Sequence, residues 1–116
     1  MNKAHQLGQE GERLAQNLLS QKNYTILECN WRWQKAEIDI IVKKKDTIVF
    51  VEVKTRSSQQ FGVPSEFVSV KKQELMMDAA EAYIEQYHEN YEIRFDIISI
   101  VINSKEKYIE HIENAF

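Results

Sequence analysis

A single cysteine, Cys29, leaves no internal disulfide in this 116-residue chain, a usage that fits a reducing compartment. No apolar run approaches the roughly 20 residues of a membrane span. The opening residues, Met1 to Gln6, are polar and helix-like, unlike a secretion signal. A soluble, cytoplasmic protein with no membrane partner is therefore expected. Glycine is scarce, at three residues, and no phosphate-cradling glycine loop can be drawn. His5, His88 and His111 lack metal-ligand spacing, and Cys29 has no His or Cys near it in sequence. Zinc sites and Ser or Cys nucleophile arrangements are thus absent. Cys29 reads most simply as a buried strand residue.

What is present fits one domain spanning residues 1–116, since a chain of this size can bury roughly two thirds of its unfolded surface. Net charge is −3, which taken alone argues against a nucleic-acid partner. The distribution differs from the total. Residues 31–72 carry nine Lys or Arg and five acids, so the middle of the chain is at +4 and the remainder at −7. A basic segment on an acidic body is compatible with phosphate binding, and equally with ordinary solvated charge.

Periodicity divides the chain into seven elements. Ala4, Leu7, Gly11, Leu14, Ala15, Leu18 and Leu19 recur at helical spacing and predict a helix over 3–22. Strand formers fill 24–31, 37–43 and 47–55, the last two joined by a tight polar turn at Lys45-Asp46. From Arg56 to Ser69 the composition turns to Ser, Gln, Gly and the one proline, Pro64, predicting a loop over the strand ends that is mobile without ligand. Ser65 or Ser69 would cap a second helix running to about Glu89, with Leu75, Met76, Ala79, Tyr83, Ile84 and Tyr87 as its buried stripe. Residues 94–102 form a nearly continuous apolar strand of the kind covered on both faces. A weaker edge strand follows at 107–112, whose exposed apolar edge suggests association. The order is αβββαββ, an α/β fold with a mixed β-sheet flanked by helices.

The chemistry concentrates in the hairpin from Glu37 to Lys54. A two-residue turn at Lys45-Asp46 sets Asp39 directly opposite Glu52, and Glu37 opposite Lys54. Alternation then places Glu37, Asp39, Ile41, Ile48, Phe50, Glu52 and Lys54 on one face. Ile38, Ile40, Val42, Val49, Val51 and Val53 share the other, which must face the core. Directly opposed side chains have Cβ atoms roughly 4.5–5.5 Å apart, and like charges there destabilise the pair. A divalent cation such as Mg²⁺, which takes one or two carboxylates plus waters and substrate oxygens, offsets that repulsion. Lys54, two residues beyond Glu52, is placed to orient an attacking water and to stabilise charge on a phosphate. Glu37 would pair with Lys54 or act as an outer ligand. The competing reading is a plain cross-strand ion-pair cluster on a solvated surface.

These residues carry a resemblance. Asp39 followed by Glu52-Val53-Lys54, with helices before and after, resembles the PD-(D/E)XK nuclease superfamily of restriction-endonuclease-like fold. Several strings resemble the YraN-like family of uncharacterised bacterial proteins: Gly8-x-x-Gly11-Glu12, Glu37-Ile38-Asp39-Ile40-Ile41, Val49 through Arg56, Arg94-Phe95-Asp96-Ile97-Ile98 and the final Asn114-Ala115-Phe116. The likeness spans essentially the whole chain. That family is similar to archaeal Holliday-junction resolvases, which implies an endonuclease with a branched or structured DNA substrate and a homodimer. By the resemblance Asp39 and Glu52 would hold Mg²⁺ or Mn²⁺, Lys54 would be the catalytic lysine and Glu12 a further acidic site residue. Lys71 matches a lysine that the family places at the start of the second helix, there to contact phosphate. Ile38 departs from the proline of the superfamily's name, and Ala36 from the glycine that usually precedes Glu-Ile-Asp. The alternative within the same fold is a non-catalytic module that binds nucleic acid or a partner.

Further candidates have open readings. Glu12 lies in line with Gly8, Ala15 and Leu19 on the flank of the first helix's stripe. Two helix-weakening glycines beside it suggest close approach of helix to sheet. Arg94 and Asp96 point to one side of their strand, as a structural ion pair or as substrate contacts. Arg56, Lys72 and Arg32 are candidate nucleic-acid contacts with Lys71. Phe61, and Trp31 and Trp33 around Arg32, would either stack on bases or simply pack.

Overall fold

The computed structural model describes residues 3–58, 68–87 and 90–116. Most of the expected 56–69 loop lies outside the described residues, with Phe61, Pro64 and Ser65, as does His88. The elements run α1 (Lys3–Gln21), β1 (Thr25–Trp33), β2 (Ala36–Lys44), β3 (Thr47–Arg56), α2 (Val70–Ile84), β4 (Glu92–Ile102) and β5 (Lys107–Ile112). This is the αβββαββ order read from the sequence. One five-stranded sheet has its strands in chain order, antiparallel throughout except where β3 and β4 run parallel. That parallel pair needs a crossover, and α2 supplies it.

The hairpin register is the expected one: Lys44 faces Thr47, Val42 faces Val49 and Ile40 faces Val51. Lys45 makes the tight turn with a left-handed φ of 54°. Both faces of the hairpin are dry. Ile40, Val42, Val49 and Val51 pack with Ala15 and Leu19 of α1, together with Ile98 and Ile100 of β4. Ile41, Ile48 and Phe50 pack beneath Ala79, Ala80 and Tyr83 of α2. Fully buried aliphatic side chains contribute roughly 1.5–3 kcal/mol each, so the hairpin is the centre of the core. One alternation departs from expectation. Ile38 joins Ile41 on the α2 side instead of Ile40 on the α1 side, and the β2–β3 pairing ends at Ile40 and Val51.

Helix α2 is shorter than its stripe. Ser69 caps it, its Oγ accepting from the Lys72 amide at 3.1 Å. The helix closes after Ile84, where the Tyr87 amide bonds back to Ile84 at 2.9 Å and the Gln86 side chain caps the Tyr83 carbonyl. Tyr87 still packs, with its ring 5.8 Å from Tyr83 and 5.4 Å from Tyr91, so the apolar period outlasts the helix. Trp31 sits edge-on to Tyr83 at 5.1 Å, and both tryptophans cover the α2-side core; their role is packing. Cys29 corrects the sequence reading. It is exposed, because β1 is an outer strand of the sheet. What cover its thiol has, together with the charges of Glu12 and Glu28, pushes its pKa up, away from thiolate chemistry.

Arg94 and Asp96 form a structural ion pair. Asp96 is fully buried and accepts from Arg94 Nε and Nη2 at 2.8 and 2.9 Å, from the Asn114 amide at 3.0 Å, and from His111 Nε2 at 2.7 Å. Lys22 Nζ stands 2.8 Å from His111 Nδ1. An ammonium can only donate, so Nδ1 accepts and Nε2 carries the proton given to Asp96. Burial alone would raise the Asp96 pKa, but the bonds from His111, Arg94 and Asn114 outweigh it and hold it below the ordinary value. Arg94 also donates to Tyr24 Oη and to Glu113. This network ties the end of α1, β4 and the C-terminal residues together.

The two glycines of α1 are not equivalent. A Cβ on Gly11 would lie 1.7 Å from Thr55 Oγ1 and 2.8 Å from Thr55 Cβ, whereas one on Gly8 would meet nothing within 4 Å. Close approach of helix to sheet therefore holds at Gly11 only. Gly8→Ala should stabilise the protein by up to about 1 kcal/mol through helix propensity. Gly11→Ala should destabilise it by about 1–3 kcal/mol despite the same gain, because Thr55 Cβ cannot rotate away. Paired urea melts would read opposite signs. Asp96→Ala should cost about 1–3 kcal/mol in the same assay, since it leaves the buried His111 Nε2 and the Asn114 amide without their acceptor.

Candidate functional site

The site grows from the place where the hairpin ladder stops. Beyond Ile40 and Val51, the Val53 amide donates to a side chain, Asp39 Oδ2, at 2.8 Å. Asp39 is thereby aimed at β3 and brought close enough to Glu52 for that carboxylate to raise its pKa. The expected juxtaposition of these two acids is present, although it arises from the broken ladder and not from a regular opposed pair. Both acids line a cleft of about 430 Å³, with Lys35 from the turn before β2, Ala36 and Glu37 from its start, and Ser69, Lys71, Lys72, Leu75 and Met76 from the α2 side.

The electrostatics of the pair are unfavourable without a further cation. Burial raises the Asp39 pKa most, and the charge of Glu52 adds to it; the Val53 amide pulls the other way. The result stands at about 8. Glu52 is buried, at 8% exposure. Lys72 Nζ lies 2.9 Å from its Oε2. That contact is one of charge, outside hydrogen-bonding angles, and Oε2 has no hydrogen-bond donor among the described residues.

The remaining sequence candidates fall around this pair. Glu37 lines the cleft, but its ion pair is with Arg32 at 2.8 Å, not the expected pair with Lys54. Arg32 and Glu37 are themselves neighbours in the β1–β2 register, which brings the two side chains together. Lys54 continues β3 past Glu52, beside Ser99 of β4; it is exposed and is not among the described residues lining the cleft. Glu12 is near enough to Asp39 to raise its pKa slightly. It borders an adjoining cleft of about 470 Å³ with His5, Gly8, Gln9, Asn30, Arg32 and Glu37. Asn30 reaches Glu12 Oε2 at 3.5 Å. Glu37 lines both clefts. Lys71 is exposed at the mouth of the first, and Arg56 ends β3, half-buried.

The sequence reading passed over Lys35 as a site residue and did not foresee the Lys72–Glu52 pair. The signal for the latter was the cap: a helix starting at Ser69 puts Lys72 in its first turn, facing the strand ends. Asp96, His111 and Glu113 also bring three potential metal-ligating groups together. Arg94 already occupies that cluster and Asp96 is fully bonded, so its chemistry is structural.

Two carboxylates and the lysines Lys35, Lys71 and Lys72 thus meet at one end of the hairpin of an α/β fold. The chain belongs to the uncharacterised protein family UPF0102, whose model matches residues 11–100. A UPF0102 protein of Flavobacterium psychrophilum is 48% identical over 116 residues, covering all of this chain and 98% of that protein. Relatives bearing the same family name in Christiangramia forsetii and Alkaliphilus oremlandii are each 46% identical, covering all of this chain and 98% and 100% of their own length. No helix among the described residues is long and apolar enough to cross a membrane.

The raised pKa of Asp39 has a direct consequence for stability. The folded state holds the proton more tightly than the unfolded chain, for which the value is 3.8. The corresponding stability is complete below about pH 4 and is lost as pH rises through about 8, at up to about 1.4 kcal/mol per pH unit. Asp39→Asn keeps an acceptor for the Val53 amide but cannot ionise. In metal-free buffer its melting temperature should exceed the wild type's at pH 9 and match it at pH 4. An unchanged difference across that range would contradict this account.

Proposed function

We propose that this protein is a divalent-metal-dependent nuclease that hydrolyses phosphodiester bonds in DNA, with branched or structured DNA as the substrate class that the resemblance implies. The observation that carries this reading is the half-buried Asp39 held against the buried Glu52, with one Glu52 oxygen lacking a hydrogen-bond donor among the described residues. Two carboxylates forced together in a cleft are costly, and a hard cation with oxygen preference suits both groups. Asp39 and Glu52 would hold Mg²⁺ or Mn²⁺, with Glu37 in the outer shell. Such an ion, when bound, makes a water molecule more acidic and draws charge from a phosphate.

The chain's own residues would do the rest. The Val53 amide keeps the Asp39 carboxylate oriented. Lys35, Lys71 and Lys72 give the cleft wall the positive charge a phosphodiester requires. Lys54, exposed at the cleft's end of β3, would meet the attacked phosphate and stabilise charge developing on it. Glu12 deepens the negative potential at Asp39. Arg32, with its side chain 79% exposed, and Arg56 extend the basic rim along a strand. The outer edge of β5, with Tyr108 exposed, is the surface for a second copy in this reading.

One observation favours a second reading, a module that binds nucleic acid without cutting it: Lys72 gives Glu52 a counter-charge from within the protein. A labelled panel of duplex, single-stranded, flap and four-way-junction DNA with Mn²⁺ separates the two. The nuclease reading expects cutting that falls on the order of a hundredfold or more in Asp39→Ala and Glu52→Gln, while Glu52→Gln still binds the preferred substrate. Intact substrates with all three proteins, alongside retained binding, would leave the binding module standing instead.

A further inference from the structure

The cleft carries a cation of its own. Lys72 Nζ sits 2.9 Å from Glu52 Oε2, and the two side chains are unequally exposed, at 43% for Lys72 and 10% for Glu52. The ammonium is thus at the buried oxygen while much of the lysine stem borders solvent. The backbone beneath it is fixed, because the Lys72 amide is bound by the Ser69 cap. Any movement of the charge is then a matter of side-chain rotation alone, and lysine has the flexible stem for it. The contact also lacks hydrogen-bond geometry, so Glu52 retains Lys72 by charge and not by a directed bond.

We propose that Lys72 is a resident counter-ion which a divalent cation displaces from Glu52, and that the displaced ammonium is then taken up by a substrate phosphate. The inference rests on the metal-dependent reading above. A metal ion and an ammonium cannot both contact one carboxylate oxygen without repelling each other across a few ångströms. Metal entry therefore turns Lys72 outward, toward the mouth of the cleft where Lys71 is exposed. There a phosphate oxygen gives the ammonium a new partner. Metal and substrate phosphate consequently favour each other's binding, by equal factors in both directions. Lys72 is a positioning residue for Glu52 in the resting protein and a phosphate contact in the loaded one.

The test reads metal binding without any cleavage. Mn²⁺ is titrated into the full chain, with free Mn²⁺ followed by electron paramagnetic resonance, for wild type, Lys72→Met, Lys72→Arg and Lys71→Met. Lys72→Met should bind Mn²⁺ about fivefold or more tightly than wild type, the scale of one partly buried ion pair. Lys72→Arg should stay near wild type, and Lys71→Met, which removes the same charge from the same turn, should gain much less. In cleavage assays Lys72→Met should raise KM more than it lowers kcat. Unchanged or weaker Mn²⁺ binding by Lys72→Met overturns the proposal while leaving the metal site intact. So does an equal gain in Lys71→Met, which would reduce the effect to general electrostatics. If none of the four proteins binds Mn²⁺, the metal-dependent reading fails, and this inference with it.

Discussion

The hydrogen bond from the Val53 amide to Asp39 is the joint on which the arrangement of the site depends. A β-hairpin ordinarily satisfies each inward amide with a carbonyl across the ladder. Here the ladder ends at Ile40 and Val51, and two residues beyond Val51 a side chain takes over the acceptor role. Without an acceptor, a buried Val53 amide would cost about 1–3 kcal/mol. With it, an acidic group is drawn inward against a second acidic group. The irregularity that reassigns Ile38 to the α2 side and the crowding of Asp39 on Glu52 occur together at this end of the hairpin.

Two aspartates in the same sheet, Asp96 buried and Asp39 half-buried, show how donors bear on the outcome. Asp96 accepts from an arginine, a histidine and a backbone amide, and its pKa falls despite full burial. Asp39 has one amide donor and an acidic neighbour, and its pKa climbs to about 8. The first carboxylate is complete within the protein and serves as mortar between α1, β4 and the C-terminal residues. The second is incomplete, as is Glu52 beside it. Groups left unsatisfied in a fold otherwise economical with its polar atoms are where binding or catalysis is to be sought.

Most of the architecture was legible because the periods are clean. The hairpin's strict alternation and its two-residue turn fixed the register, and the long apolar run of β4 announced a strand covered on both sides. Asp39 and Glu52 were legible as neighbours because the hairpin pattern, extended past its last pair, points them at each other, although the structure joins them where the ladder has already broken. Other features depended on information that no local pattern carries. Cys29 looks like a core residue until β1 is known to be an outer strand. Glu37 turned to Arg32 across the β1–β2 register, a pairing invisible in the β2–β3 hairpin. Tyr83 and Tyr87 continue one apolar stripe, yet the helix stops between them because the chain must turn back toward β4. Lys72 reads as one more surface lysine until the cap at Ser69 sets its height above Glu52.

The contact of Gly11 with Thr55 reaches beyond packing. Thr55 follows Lys54 directly, and Gly11 precedes Glu12, so one point of touch sets the level of a helix acid against the strand that carries the site. Volume added at either position has nowhere to go unless it is removed at the other. A larger residue at position 11 therefore calls for a smaller one at position 55, so that the two positions are coupled. Such a coupling holds the level of Glu12 against the strand by packing, independently of the chemistry at the site.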